Sequence, residues 1–251
     1  MVVICDMSEL EQKYSDFIST LSHELRTPLT SIRGFADTLL VSGDKLTPEQ
    51  KRKFLEIIKT QSERLIKMVE NVLAVSKLES QSGLFVFKPT NVLPIIEQAV
   101  NIVKFQYPKH TIKVKYLQES KVHSVIYVDS DKYQQVMVNL LENAAKYSNE
   151  GTLIIVEVVI SNNDLLVRVI DEGIGIEQIY LDKIFEKFSR IDSPLTRRTQ
   201  GSGLGLYITK SLVEKMNGSI SVISSEKGST FEIKFPLLNT EVQAQRKLKE
   251  S

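Results

Sequence analysis

The stretch Ile18–Leu39, ISTLSHELRTPLTSIRGFADTL, decides how the first third of the chain is read. Ile18, Leu21, Leu25, Pro28, Ile32, Phe35 and Leu39 recur at alternating steps of three and four, the seam of a helix that packs along another helix. Pro28 is the odd member of that seam. Inside a helix it removes one backbone hydrogen bond and crowds the preceding turn, a cost of about 3 kcal/mol. His23 stands midway between Leu21 and Leu25, so at about 100° per residue its imidazole points away from the seam. Glu24 is adjacent and Thr27 lies one turn on, on the same outer face as His23. A neutral imidazole with one nitrogen steadied by a carboxylate offers the other as a nucleophile.

Outward from this stretch, the helical pattern covers Leu10–Leu40 and breaks at Ser42-Gly43-Asp44. Thr47 then reads as an N-cap with Pro48 in the first helical position. The second helix continues to Glu79 on a seam of Phe54, Ile58, Gln61, Leu65, Met68, Val72 and Val75. Two seamed helices on a short loop form an antiparallel hairpin, which alone cannot cover its apolar stripe. Two hairpins joined in a four-helix bundle can, and the expectation is a homodimer. The opening run VVICDMSEL, rich in β-branched residues, reads as a strand.

Past Ser80-Gln81-Ser82-Gly83 the texture changes. Helices are expected over Val92–Phe105, Asp131–Tyr147 and Leu204–Met216, the last ended by Asn217-Gly218. Strands are expected over Thr111–Tyr116, Ser124–Val128, Leu153–Ile160, Asp164–Ile170, Ser219–Ser224 and Thr230–Phe235. Short polar turns join neighbouring strands. The pattern is an α+β sandwich, a mostly antiparallel sheet with helices on one face. The charged residues 239–251 read as a frayed tail. The domains are then 1–9, a strand; 10–80, the hairpin; 81–87, a linker; 88–238, the sandwich; and 239–251, the tail.

Composition narrows the chemistry. A net charge of +1 over 251 residues gives no field for nucleic acid or an anionic membrane. Cys5 stands alone, which excludes an internal disulfide and a cysteine-based zinc site. His23, His110 and His123 have no metal-ligand spacing. No apolar run reaches the roughly 20 residues of a membrane span, so cytoplasmic location is expected.

A second constellation carries phosphate-binding chemistry. Asp171-Glu172-Gly173-Ile174-Gly175-Ile176 follows a strand, and Gly201-Ser202-Gly203-Leu204-Gly205-Leu206 opens a helix. Neither is a dinucleotide fingerprint, because Gln178 and Leu206 stand where its third glycine would be, and no GxxxxGK[ST] is present. Glycines opening a helix nevertheless leave bare N–H groups for an anion. On the helix before them, Asn139, Asn143 and Lys146 recur at helical spacing beside Glu142. Amide oxygens suit Mg²⁺ and a lysine suits phosphate.

Taken together, these segments resemble the sensor histidine kinases of two-component signalling. FISTLSHELRTPLTSIRGF resembles their H box, NLLENAAKYS the N box, DEGIGI the first glycine box, IFEKFSRID the phenylalanine box and GSGLGL the second glycine box, in the family's order. The resemblance implies a dimeric phosphotransfer hairpin and an ATP-binding domain of the Bergerat (GHKL) type. It implies that His23 accepts phosphate, that Glu24 activates it and that Thr27 assists dephosphorylation of a partner response regulator. It implies that Asn143, helped by Asn139, holds Mg²⁺, that Lys146 and Tyr147 contact the nucleotide and that Asp171 accepts from the adenine amino group. Gly173, Gly175, Gly201, Gly203, Leu204 and Gly205 would let the backbone approach the nucleotide. Arg190 would approach the γ-phosphate and Thr230 would frame the adenine pocket. Glu186–Gln200, with Arg190, Arg197 and Arg198, reads as a lid over ATP. Residues 1–9 would be the exit strand of a PAS-like sensor, in a full-length protein with the option of a membrane anchor. Implied partners are a second copy, a receiver domain and that upstream sensor. Two other readings stay open: an ATPase clamp resembling gyrase, Hsp90 and MutL, and a nucleotide-switched scaffold without catalysis.

Overall fold

The computed structural model describes residues 2–80, 84–117, 124–187, 189 and 203–238, with side chains from residue 18 onward. The chain divides into two compact units, one up to Glu79 and one from Ser80.

The first unit is a pair of long helices, α1 (Val2–Ser42) and α2 (Pro48–Glu79), joined through a single 3-10 turn at Gly43–Lys45. The run at residues 2–9, expected as a strand, is the start of α1. β-branched residues cost only a few tenths of a kcal/mol in a helix, and extending an existing helix gains a hydrogen bond for each residue added. Helix α2 opens with a reciprocal cap: Gln50 N donates to Thr47 Oγ1 at 3.2 Å, and Thr47 N donates to Gln50 Oε1 at 2.9 Å. The rings of Phe35 and Phe54 meet at 5.1 Å near the turn. Farther along, Arg64 Nη2 donates to Glu24 Oε2 at 3.0 Å. Both pairs fit one antiparallel register.

The second unit contains β1 (Lys88–Asn91), α3 (Leu93–Gln106), β2 (Thr111–Tyr116), β3 (Val125–Val128), α4 (Ser130–Tyr147), β4 (Leu153–Ser161), β5 (Asp164–Ile170), α5 (Gly205–Lys215), β6 (Ser219–Ser225) and β7 (Gly228–Pro236). The main sheet has the order β2-β4-β5-β7-β6, with only β2 and β4 parallel. β1 and β3 form a separate antiparallel pair. The β4–β5 turn is carried by Asn162 and Asn163 at φ 50° and 67°, the left-handed geometry of a tight hairpin that asparagine tolerates.

Alternation along the strands separates the two faces of the sheet. Ile154, Val156, Val158, Leu165, Val167, Val169, Ile233 and Phe235 are buried on one face, and α4 packs against α3, α5, β4 and β5. On the other face Lys115, Glu157, Arg168 and Glu232 stand in register across β2, β4, β5 and β7. Their signs alternate, with Lys115–Glu157 at 3.9 Å and Arg168–Glu232 at 2.6 Å. Opposite charges directly across strands stabilise a sheet face that meets water.

Helix α4 begins at Asp129, whose Oδ1 accepts from Asp131 N and Lys132 N at 3.0 and 3.1 Å. Its Oδ2 accepts from Val86 N at 2.8 Å. Burial pushes this carboxyl up, but the N–H groups of Val86, Lys132 and Asp131 outweigh it and hold it below the ordinary aspartate value. A lowered carboxyl contributes stability above its unfolded pKa, and that contribution is lost as pH falls through the folded pKa. Asp129→Ala is therefore expected to destabilise the chain by about 1–2 kcal/mol at neutral pH. In urea titrations the gap from the parent should close on acidification.

Candidate functional site

Each unit places its own chemistry. In the hairpin His23 is exposed, as its offset from the seam requires, while Pro28 is buried within α1. The His23 ring has no hydrogen-bond partner among the described residues. Its carbonyl accepts from Thr27 Oγ1 at 3.3 Å, so Thr27 is held one turn below it on the same face. Glu24 is partly buried against α2, where Arg64 takes its carboxylate. Sequence reasoning passed over Arg64. Its place beside the seam residue Leu65, on the side of α2 that meets Glu24, becomes visible only once the antiparallel register is known.

In the sandwich the end of β5 is drawn tightly against the start of β7. Asp171 N donates to Ser229 O at 2.9 Å. Asp171 Oδ1 accepts from Gly173 N at 2.8 Å and from Ser229 N at 3.2 Å. Both bonds fall on one oxygen, which leaves Oδ2 as an open acceptor. The carboxyl is 6% exposed. Burial pushes its pKa up, against the two backbone donors that lower it. Ser224 Oγ closes the corner, 2.9 Å from Ser229 Oγ and accepting from Ile176 N at 2.8 Å. Ser224 and Ser229 were not foreseen, since only the β5–β7 and β6–β7 registers reveal them.

Glycine is required at two positions here. Gly175 has φ 69°, and a Cβ there would lie 1.9 Å from Ser225 O. Gly228 has φ 127°, and its Cβ would lie 2.0 Å from Asp171 O. Any side chain at either would push the strands off the aspartate.

The other wall is α4. Asn139 Nδ2 donates to Thr209 Oγ1 of α5 at 2.6 Å. Asn143, one turn on, has no hydrogen-bond partner among the described residues. Glu142 is 4% exposed and pairs with Lys146 Nζ at 3.3 Å. Burial first, and then the charge of Glu142, push the Tyr107 phenol up to about 12. Tyr147 O accepts from Ile174 N at 3.1 Å, and Ser148 bridges Gly173, tying α4 to the loop after Asp171. Gly203 takes φ 67° and Leu204 is fully buried ahead of α5. Thr230 lies on β7 between Ile170 and Ile223. Arg190 and Gly201 lie outside the described residues, as does most of the expected lid at Glu186–Gln200, including Arg197 and Arg198.

The structure thus brings Asn139 against Gly205 and Thr209, and Tyr147 and Ser148 against Ile174 and Gly173 just after Asp171, with Asn143 and Lys146 on α4 between the two contacts. No cluster of three histidine, cysteine, aspartate or glutamate side chains able to hold a metal exists among the described residues. The amide oxygens of Asn139 and Asn143 are hard ligands suited to Mg²⁺, which also keeps waters and phosphate oxygens in its shell. The donor set fits that ion.

Comparison with known proteins follows these two sites. Residues 13–81 match the family model of the His Kinase A (phospho-acceptor) domain. Residues 128–239 match that of the histidine kinase-, DNA gyrase B-, and HSP90-like ATPase. The sensor protein SrrB of Staphylococcus aureus is 32% identical over 240 residues, 94% of this chain and 41% of SrrB. The sensor histidine kinase WalK of Bacillus subtilis is 31% identical over 242 residues, 94% of this chain and 39% of WalK. The chain thus spans about two fifths of these relatives. A solved structure of histidine kinase ThkA in complex with response regulator protein TrrA shares the fold, with a TM-score of 0.72 at 23% identity over 92% of this chain and 64% of ThkA.

The raised carboxyl of Asp171 sets an opposition between fold and site. A group with a raised folded pKa contributes stability below its unfolded pKa, and that contribution is lost as pH rises through the folded pKa. At neutral pH, above the ordinary aspartate value, the buried Asp171 therefore weakens the fold relative to acid pH. Asp171→Asn keeps an oxygen for both backbone donors and removes the charge. Thermal unfolding should show it more stable than the parent at neutral pH, with the difference shrinking as pH falls toward the ordinary aspartate range.

Proposed function

We propose that this chain, whose two matched domains are those of a histidine kinase core, autophosphorylates His23 from ATP and passes the phosphoryl group to an aspartate of a response regulator. One observation carries this reading: a phospho-acceptor hairpin with an exposed imidazole and a GHKL-type ATPase unit lie in one chain. The clamp and scaffold readings share the second unit but leave His23 without a use.

A lone pair on one His23 ring nitrogen forms a bond to the γ-phosphorus. The bond from that phosphorus to the bridging oxygen breaks, and ADP leaves with its electron pair. The proton on the other ring nitrogen passes to Glu24, for which Arg64 competes with the imidazole. Catalysis is then chiefly alignment and charge neutralisation. Asp171 Oδ2 takes the adenine amino group, a donor that guanine lacks at that position. Lys146 and the first turn of α5 face the phosphates, with Tyr147, Gly173, Gly175, Gly203 and Leu204 shaping the backbone about the nucleotide. Arg190, Gly201 and Thr230 complete the set as proposed from the family motifs. Mg²⁺, held through Asn143 and Asn139, neutralises phosphate charge when bound.

The second half-reaction rests on the same exposed face. A receiver-domain carboxylate attacks the phosphohistidine, and the N–P bond breaks as the acyl phosphate forms. Thr27, beside His23, is placed to align a water for the reverse task, hydrolysis of the regulator's acyl phosphate. ThkA was solved with a response regulator bound, which supports a partner of this class. Ile66, Val69 and Leu73 leave an exposed apolar stripe along α2, which a second hairpin would cover in a homodimer. No described helix is long and apolar enough to cross a membrane. Use of ATP and of a receiver domain locates this part of the protein in the cytoplasm, under the control of a sensor region.

Incubation with γ-labelled ATP and Mg²⁺ tests the central claim. The parent should carry acid-labile, alkali-stable label that His23→Gln lacks; equal labelling of both overturns it. Sedimentation tests the assembly. The parent should run as a dimer and Ile66→Asp/Leu73→Asp as a monomer.

A further inference from the structure

We infer that Thr209 is a positioning residue for the metal–phosphate site, acting through the side-chain amide of Asn139. The inference rests on the ATP-binding reading above and concerns a residue outside the motifs that carry that reading. Thr209 is 1% exposed, so its hydroxyl has no access to water. It accepts from Asn139 Nδ2 at 2.6 Å. A primary amide has one oxygen and one nitrogen on a planar carbon, so with the nitrogen on Thr209 the oxygen faces the other side. That side is occupied by Gly205, the first residue of α5. A Cβ at Gly205 would lie 2.7 Å from Asn139 Oδ1 and 3.2 Å from Nδ2. The missing side chain at Gly205 gives the oxygen the room a Cβ would take.

Asn143 follows Asn139 by one helical turn and also points from α4 with no partner among the described residues. Two amide oxygens four residues apart form a pair of hard ligands, but only if both present oxygen. An amide that turned over would offer two N–H donors to a cation, an electrostatic repulsion. A hydroxyl donates as well as accepts, so Thr209 holds the amide in place and the cation selects the oxygen. An outer-shell partner of this kind typically changes metal affinity by 10–100-fold when removed.

The test measures binding rather than turnover. The full chain is titrated with a non-hydrolysable ATP analogue by calorimetry across a series of Mg²⁺ concentrations. Thr209→Val keeps the buried shape and removes the acceptor. It is expected to raise the Mg²⁺ midpoint by about tenfold and to leave Mg²⁺-free nucleotide affinity within about twofold, the change a remote packing substitution allows. Thr209→Ser should restore the midpoint. An unchanged midpoint in Thr209→Val overturns the inference. So does a Thr209→Ser variant as impaired as Thr209→Val, or an equal loss with and without Mg²⁺. Should Thr209→Val fail to fold, Thr209→Ala takes its place against Thr209→Ser, and a Thr209→Ala midpoint equal to that of the parent overturns the inference. A parent that binds no nucleotide overturns the ATP reading and this assignment with it, whereas normal parent binding with a silent Thr209→Val overturns the assignment alone.

Discussion

Asp129 receives backbone N–H groups from Val86, Asp131 and Lys132, and at the other end of α4 Tyr147 O receives Ile174 N. Between these two anchorages the helix is buried along Tyr133, Val136, Met137, Leu140 and Leu141. Its packing against α3, α5, β4 and β5 makes it the common wall of the second unit. The polar residues of the site sit on the turns left over from this packing. Asn139, Glu142, Asn143 and Lys146 can therefore hold fixed positions without any side chain of the site ordering itself alone. The entropy of fixing them is borne by the core beneath.

Within that frame the aspartate corner works against its own stability. Burial disfavours the charge on Asp171, while two backbone donors and the close approach allowed by Gly175 and Gly228 hold it in place. Proteins retain such conflicts where a ligand relieves them. In the proposed reading, the adenine amino group supplies the missing hydrogen bond at Oδ2. The hairpin has a milder version of the same tension, since Glu24 pairs with Arg64 in the structure and serves His23 in the proposed mechanism.

Local signals were legible wherever one helix or one turn decided them. The seams, the Thr47–Gln50 cap, the Asn162-Asn163 hairpin and the alternating strands follow from spacing and from residue conformation. β1 was not legible, because Lys-Pro-Thr-Asn is polar, contains proline and pairs only with β3. Residues 2–9 misled, since β-branched residues next to an established helix join it. The family motifs pointed to Asn139 and Asp171, but their partners Thr209 and Ser229 lie far away in sequence and come near only through the fold. Arg64 belongs with these, being visible only after the two helices are laid side by side.

The row Lys115, Glu157, Arg168 and Glu232 also bears on how the chain finds its fold. A slip of one residue in β5 would carry Arg168 to the apolar side of the sheet. A slip of two would leave it on the outer face opposite Ile155 or Val159 and strand Glu157 against Leu166 or Ile170. Aliphatic pairs alone would barely discriminate between these alignments, because β4 and β5 are otherwise almost uniformly Val, Ile and Leu. The alternating charges act as a key cut into an otherwise smooth surface, and only one alignment of the sheet turns it.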